Sequence, residues 1–113
     1  MFTVVFFKTK AKNVPVLEWL RSLSREDRAV IGEDLRVVQQ GFPLGMPLCR
    51  PLGKGLFEVR SSLPSRTEAR LVFFADETDL VIIEGFLKKT RTTPATVITL
   101  STKRKAEYIA AKT

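Results

Sequence analysis

The chain has no histidine, and only one cysteine, one tyrosine and one tryptophan, in 113 residues. Without histidine it lacks the side chain best suited to proton transfer near neutral pH, and the commonest ligand for transition metals. The lone Cys49 excludes an intramolecular disulfide. With no imidazole to take its proton, it reads as a small buried or half-buried thiol in a loop, not as a nucleophile. No apolar run approaches the about 18 residues of a membrane span, and the N-terminal FTVVFF is short and lacks a cleavage pattern. A GxxxxGKT phosphate loop, a dinucleotide fingerprint and a Ser/His/Asp set are also missing. These absences lead to the expectation of a cytoplasmic protein with no membrane segment, no metal and no small-molecule cofactor.

What the chain has in excess is positive charge. Nineteen Lys and Arg against twelve Asp and Glu leave +7, with a pI near 10.0. The excess sits at the ends: residues 85–113 carry seven cations and one acid, Glu107, and residues 1–12 carry three lysines and no acid. Such a balance suits a polyanionic partner, nucleic acid above all, although a solvated basic tail gives the same count. The length fits one domain, residues 1–113, and a composition 44% hydrophobic supports one modest core.

Between residues 55 and 94, three runs rich in Phe, Val, Ile and Leu are separated by the polar clusters 61–67 and 76–79. That is the pattern of an antiparallel meander, with strands near 56–61, 68–75 and 80–88. Residues 2–7 supply a fourth strand. Phe57 and Val59 alternate with Glu58 and Arg60, and Leu71 and Phe73 with Arg70 and Val72, so one face is apolar and the other mixed. Two helices form a hairpin that covers the sheet. The first, capped by Asn13 with Pro15 in its first turn, runs to Leu23, and the second opens at a Ser24/Asp27 capping box and stops at Gly41. Trp19 lies on the apolar stripe of the first helix, which makes it core and not a stacking platform. A connector over 42–55, rich in Pro and Gly, leads to the meander, and a C-terminal helix starts at Thr93-Pro94. The expected fold is therefore α+β: a four-stranded, antiparallel-rich sheet against an N-terminal helical hairpin, with a C-terminal helix.

Symmetric pairing about the turns sets Arg60 opposite Arg70, and Arg70 opposite Gly85 with Lys88 just beyond. Arg60, Arg70, Lys88 and Lys89 then crowd one end of one sheet, an arrangement that calls for an anion or for ample solvent. The reaction that needs little beyond positive charge, positioning and a proton acceptor is intramolecular RNA cleavage, in which the 2′-hydroxyl attacks its own phosphate. Arg60 and Arg70, as exposed cations on the sheet face, would hold the phosphate and its transition state. Lys88 or Lys89 would transfer protons, with Glu58 as the alternative base or as the group that orients Arg60. The competing reading is a solvated basic face with a Glu58–Arg60 surface pair. Gly53-Lys54-Gly55 is too short for a phosphate loop and reads more simply as a turn into a strand, with Lys54 a further candidate for RNA contact.

Taken together, VPVLEWLRSLSREDRAVIGEDLRVVQQGFPLGMP, LGKGLFEVRSSLP, ARLVFF and GFLKKTRTTP, in that order over about residues 14–109, resemble the RelE/HigB superfamily of type II toxin–antitoxin toxins, most closely its phage-derived HigB-like branch. The resemblance implies a RelE-like fold and an mRNA interferase that cuts messenger RNA in the ribosomal A site. It also implies a cognate helix-turn-helix, HigA-like antitoxin as partner, beside ribosome and mRNA. Glu58 and Arg60 fall in its GL-aromatic-E-V-R motif, Arg70 at its phosphate-binding arginine, and Phe86, Lys88, Lys89 and Thr90 in its GF-x-K-K-T motif, with Arg91 where a further basic residue is common. Several members use a Tyr or His near the C-terminus; here the single Tyr108 lies deep in the last helix. The alternative is a non-catalytic basic RNA-binding or protein-interaction module, an inactive toxin relative or phage protein.

Overall fold

The computed structural model describes residues 1–45 and 48–112; Met46 and Pro47, in the expected connector, and Thr113 lie outside them. The elements run β1 (Thr3–Phe6), α1 (Pro15–Arg21), α2 (Arg25–Gly41), β2 (Cys49–Gly53), β3 (Leu56–Ser62), β4 (Glu68–Asp76), β5 (Asp79–Leu87) and α3 (Ala95–Lys112). The three meander strands lie where hydrophobic alternation puts them. The sheet is five-stranded and mixed, in the order β1-β5-β4-β3-β2, with β1 parallel to β5 and the other pairs antiparallel.

The expected four strands become five because β2 pairs with the outer edge of β3. It contains Pro51 and Gly53, which disguise a strand in sequence yet are tolerated at an edge, where proline's missing N–H can face away from the ladder; the register shifts between those two residues. Cys49 is accordingly buried in an edge strand and not in a loop.

Both faces of the sheet are covered. Val59, Leu71, Phe73, Leu80 and Ile82 meet Val16, Ile31, Leu35 and Val38 from α1 and α2. At the border of this layer Phe42 packs edge-on against Phe2, Phe57 and Phe73, with ring centroids 5.0–5.7 Å apart. On the opposite face Leu56, Val72, Phe74, Val81 and Ile83 pack with Val97, Ile98 and Tyr108 of α3. Trp19 is half-buried and packs from α1 against the core on the helical-hairpin side, and it needs Gly85: a Cβ there would lie 2.7 Å from the indole ring.

Helix starts depart from expectation in detail. Asn13 does not cap α1; Val14 is the cap residue, with Pro15 at the first helical position and Glu18 Oε2 accepting from the Val14 N–H. Ser24 does cap α2, accepting from the Asp27 N–H at 3.1 Å, a contact worth about 1 kcal/mol. The Asp27 carboxylate turns instead to the β3–β4 turn, where it accepts from the Ser65 hydroxyl (2.8 Å) and N–H (3.3 Å). This polar tie fixes the turn, and hence the ends of β3 and β4, against the helix layer.

Candidate functional site

The ladder assembles the charged cluster. β3 and β4 pair Arg60 with Arg70, as symmetry about the turn predicts. Across β4 and β5 the partner of Arg70 is Phe86, one residue beyond the expected Gly85. The offset comes from a bulge: Val72 pairs with Glu84 and Phe73 with Ile82, so Ile83 is an extra residue on β5. Its carbonyl accepts from Arg104 Nη1 at 2.8 Å, which ties α3 to the irregularity; the same guanidinium lies 3.6 Å from Glu84 and over the Phe7 ring. Past the end of β5, the Lys88 N–H still donates to the Glu68 carbonyl, so Lys88 continues the ladder beside Arg60 and Arg70. Lys89, Thr90 and Arg91 follow in an exposed loop.

Arg70 is not the exposed cation expected of it. Its side chain is wholly buried, because residues 88–94 fold back over it. Nε donates to Glu68 Oε2 at 2.9 Å, Nη2 donates to the Arg91 carbonyl at 3.1 Å, and Nη1 stands 3.9 Å from Glu58 Oε1. Glu58 is buried too, its Oε2 accepting from the Thr93 hydroxyl at 2.6 Å. Thr93 therefore anchors the loop to the sheet. Glu58 Oε1 and Arg70 Nη1 have no hydrogen-bond partner among the described residues. Glu58 thus faces Arg70 and Thr93 beneath the loop and forms no surface pair with Arg60, the corrected form of that reading.

The carboxylate that reaches the surface is Glu68, which residue spacing alone had not singled out. One oxygen of it accepts from Arg60 Nε (3.4 Å) and Arg70 Nε (2.9 Å), separating two like charges that sit directly opposite each other. Burial pulls this carboxyl's pKa up. The Arg70 hydrogen bond and the charges of Arg60, Arg70 and Lys88 outweigh that, so the net shift is downward. The signal for it was available: any register that sets Arg60 opposite Arg70 puts Glu68 two pairs along, on the same face. Glu58 and Glu68 balance Arg60 and Arg70, and the uncompensated charge belongs to Lys88, Lys89 and Arg91.

Other candidates lie elsewhere. Lys54, in the left-handed region at φ 56°, occupies the β2–β3 turn beyond Leu56, the opposite end of β3, which is itself roughly 13 Å along the strand from Arg60. Its carbonyl accepts from Lys105 Nζ, which makes the turn structural. Tyr108 packs edge-on against Phe74 with Lys112 over its ring, under α3 and away from the cluster. Phe86, partly buried, packs into the α3 layer beside Arg70. Burial pushes the Cys49 thiol up to about 11, so it is not a nucleophile at neutral pH. Among the described residues no group of Cys, Asp and Glu side chains comes together to hold a metal ion.

The site opens into a cavity of about 430 Å³ at the free end of β3, lined by Val30, Asp34, Leu48, Arg60, Ser62 and Glu68. A buried Arg–Glu pair under a basic loop, with a small mixed cavity alongside, can be compared with known families. The family model described as phage-derived protein Gp49-like (DUF891) matches residues 18–106. The chain belongs to the Gp49-like family. This is a RelE/HigB-like toxin family of toxin–antitoxin systems, and membership implies an antitoxin partner. The matched span runs from α1 into α3 and takes in every charged residue of the cluster. A search among curated proteins returned no match.

Proposed function

We propose that this Gp49-like protein is a single-domain toxin of the HigB-like branch that cleaves messenger RNA in the ribosomal A site and is neutralised by a helix-turn-helix antitoxin. The observation that carries the reading is the grouping of Arg60, Lys88, Lys89 and Arg91 at one end of the sheet, above a buried Arg70 already matched by carboxylates. In the reaction the 2′-oxygen forms a bond to the adjacent phosphorus, the bond to the 5′-oxygen breaks, and a cyclic phosphate and a 5′-hydroxyl result. The 2′-proton must be taken up and the 5′-oxygen must receive one; no metal is required.

Arg60 and Arg91 are the guanidinium groups placed to meet phosphate oxygens, and Lys88 and Lys89 the groups that move protons. Thr90 and Phe86 flank them. Arg70 and Glu58 act from beneath as positioning residues: Arg70 holds the Arg91 carbonyl and Glu58 holds Thr93, which together set the height and direction of the basic loop. This reassigns both from the direct role that their position in the motifs suggests, because both side chains are buried beneath the loop. A set this sparse fits an enzyme whose substrate is oriented by the ribosome.

The test adds purified protein to ribosomes stalled with a defined codon in an open A site and maps cleavage by primer extension, beside free mRNA and a Lys88→Ala/Lys89→Ala double variant. Cleavage inside the A-site codon, dependent on ribosomes and reduced at least about 100-fold in the variant, is expected. Intact mRNA despite ribosome binding would overturn the nuclease and leave a non-catalytic RNA-binding module.

A further inference from the structure

β1 is an edge strand, paired only with β5. In that parallel ladder the Thr3 N–H donates to the Thr78 carbonyl and the Phe7 N–H to the Ile82 carbonyl, so the odd-numbered residues direct their backbone groups at β5. Val4 and Phe6 therefore point theirs outward, and these two N–H groups and two carbonyls have no partner among the described residues. At its start the edge is covered, since the Phe2 N–H donates to the Gln39 carbonyl of α2. Along the open part lies a second cavity, of about 410 Å³, floored by Val5 and Phe7 and roofed by Tyr108 and Ala111 from the last turns of α3. Lys8 and Lys10 stand at its rim, exposed and without an ion pair to any described residue, with Glu107 the one acid beside them.

We infer that this edge is a docking surface for an extended, acidic segment of a partner protein, which adds a strand beside β1 and sets an apolar side chain into the cavity. In such pairing the main-chain bonds supply affinity whatever the sequence, and pockets beside the strand read alternate side chains. The outward groups of Val4 and Phe6 take the main chain, the space between Val5 and Tyr108 takes the apolar side chain, and Lys8 and Lys10 take carboxylates. The lysines also choose the occupant. Lysine beside an edge strand is a common guard against pairing with further copies of that strand. A second copy would bring its own Lys8 and Lys10 and a charge of +7, whereas an acidic strand gains from the same contacts. Nucleic acid shares the preference for positive charge but offers no ladder to the backbone of Val4 and Phe6. The edge lies two strands from Arg70, and docking there goes beyond the nuclease reading without depending on it.

The experiment titrates the full chain, labelled for amide NMR, with a capped peptide, Glu-Val-Phe-Val-Glu-Glu, beside a version with lysine for glutamate and two versions N-methylated at alternate amides. Expected are shifts at Val4, Phe6 and Tyr108, slowed amide exchange at Val4 and Phe6, and binding at least about tenfold weaker for the lysine peptide. One set of peptide amides faces β1 and the other faces away, so one methylated version should lose at least about tenfold in binding while the other stays within about threefold. Lys8→Ala/Lys10→Ala removes exposed side chains, and should weaken the acidic peptide at least about threefold without moving the thermal midpoint. Absence of shifts, shifts confined to other residues, equal binding of the two methylated versions, or indifference to peptide charge would each overturn the surface. So would broadening at Val4 and Phe6 that rises with protein concentration in the absence of peptide, which assigns the edge to a second copy. The same shifts with an RNA hexamer would overturn it in favour of nucleic acid. No arm reads cleavage, so failure here leaves the nuclease reading as it stands.

Discussion

At the residue scale the deciding side chain is Arg70. A guanidinium with no exposure, bonded to Glu68 and the Arg91 carbonyl and facing a buried Glu58, is part of the framework. Removing one partner of a buried pair strands the other in a poor solvent. Arg70→Ala should therefore cost about 3–5 kcal/mol, read from urea midpoints, and release the loop at residues 88–94. An unchanged midpoint would mean that Arg70 is balanced more loosely than its contacts indicate. Glu68 gives a second, pH-dependent expectation. Its folded pKa lies below the ordinary 4.5, so its contribution is present above that value and is lost as pH falls toward the depressed one. Glu68→Gln should lower stability by about 2 kcal/mol at neutral pH, with the gap to the unaltered protein closing in acid. Midpoints measured from neutral pH down to about 3 check the slope; a gap that widens in acid would contradict the assigned ion pairs.

At the element scale the molecule depends on how β5 meets its neighbours. The Gly85 Cβ position lies 2.7 and 2.8 Å from the Trp19 ring and 2.9 Å from Leu71, so any side chain there must push α1 off the sheet. Gly85→Ala should cost about 1–3 kcal/mol by overpacking, and pairing it with Trp19→Leu should recover part of that loss. Purely additive effects in the double variant would show that the two do not share the space. Much of this layer was legible in advance. Alternation through residues 57–60 and 69–74 gave the faces of β3 and β4, and the lengths of the turns gave the Arg60–Arg70 pair. The bulge at Ile83 was not legible, because an extra residue in an unbroken apolar run leaves no mark on composition. It moved the partner of Arg70 by one position. Nor was the burial of Arg70 and Glu58 legible, since it depends on a segment more than twenty residues downstream folding back. β2 was hidden by Pro51 and Gly53, which only an edge position tolerates.

At the scale of the whole molecule the question is where the charge of +7 acts. Part of the basic C-terminal third is spent inside the fold: Arg104 bonds the bulge carbonyl, Lys105 the β2–β3 turn, and Lys112 pairs with Asp76. Those cations stabilise α3 on the sheet and are poorly placed to hold a long polyanion. Lys88, Lys89 and Arg91 differ, since no carboxylate among the described residues bonds their side chains and Lys89 and Arg91 are exposed. If they carry the contact with RNA, replacing all three by alanine should reduce the dependence of log affinity on log salt by about 2 for single-stranded RNA, because each phosphate contact contributes about 0.7. The thermal midpoint should move little, as surface cations add little to stability. Arg104→Ala should do the reverse, lowering stability through the lost carbonyl bond while leaving the salt slope nearly unchanged. A triple variant with an unaltered slope would move the RNA contact away from the loop and take the proposed cleavage site with it.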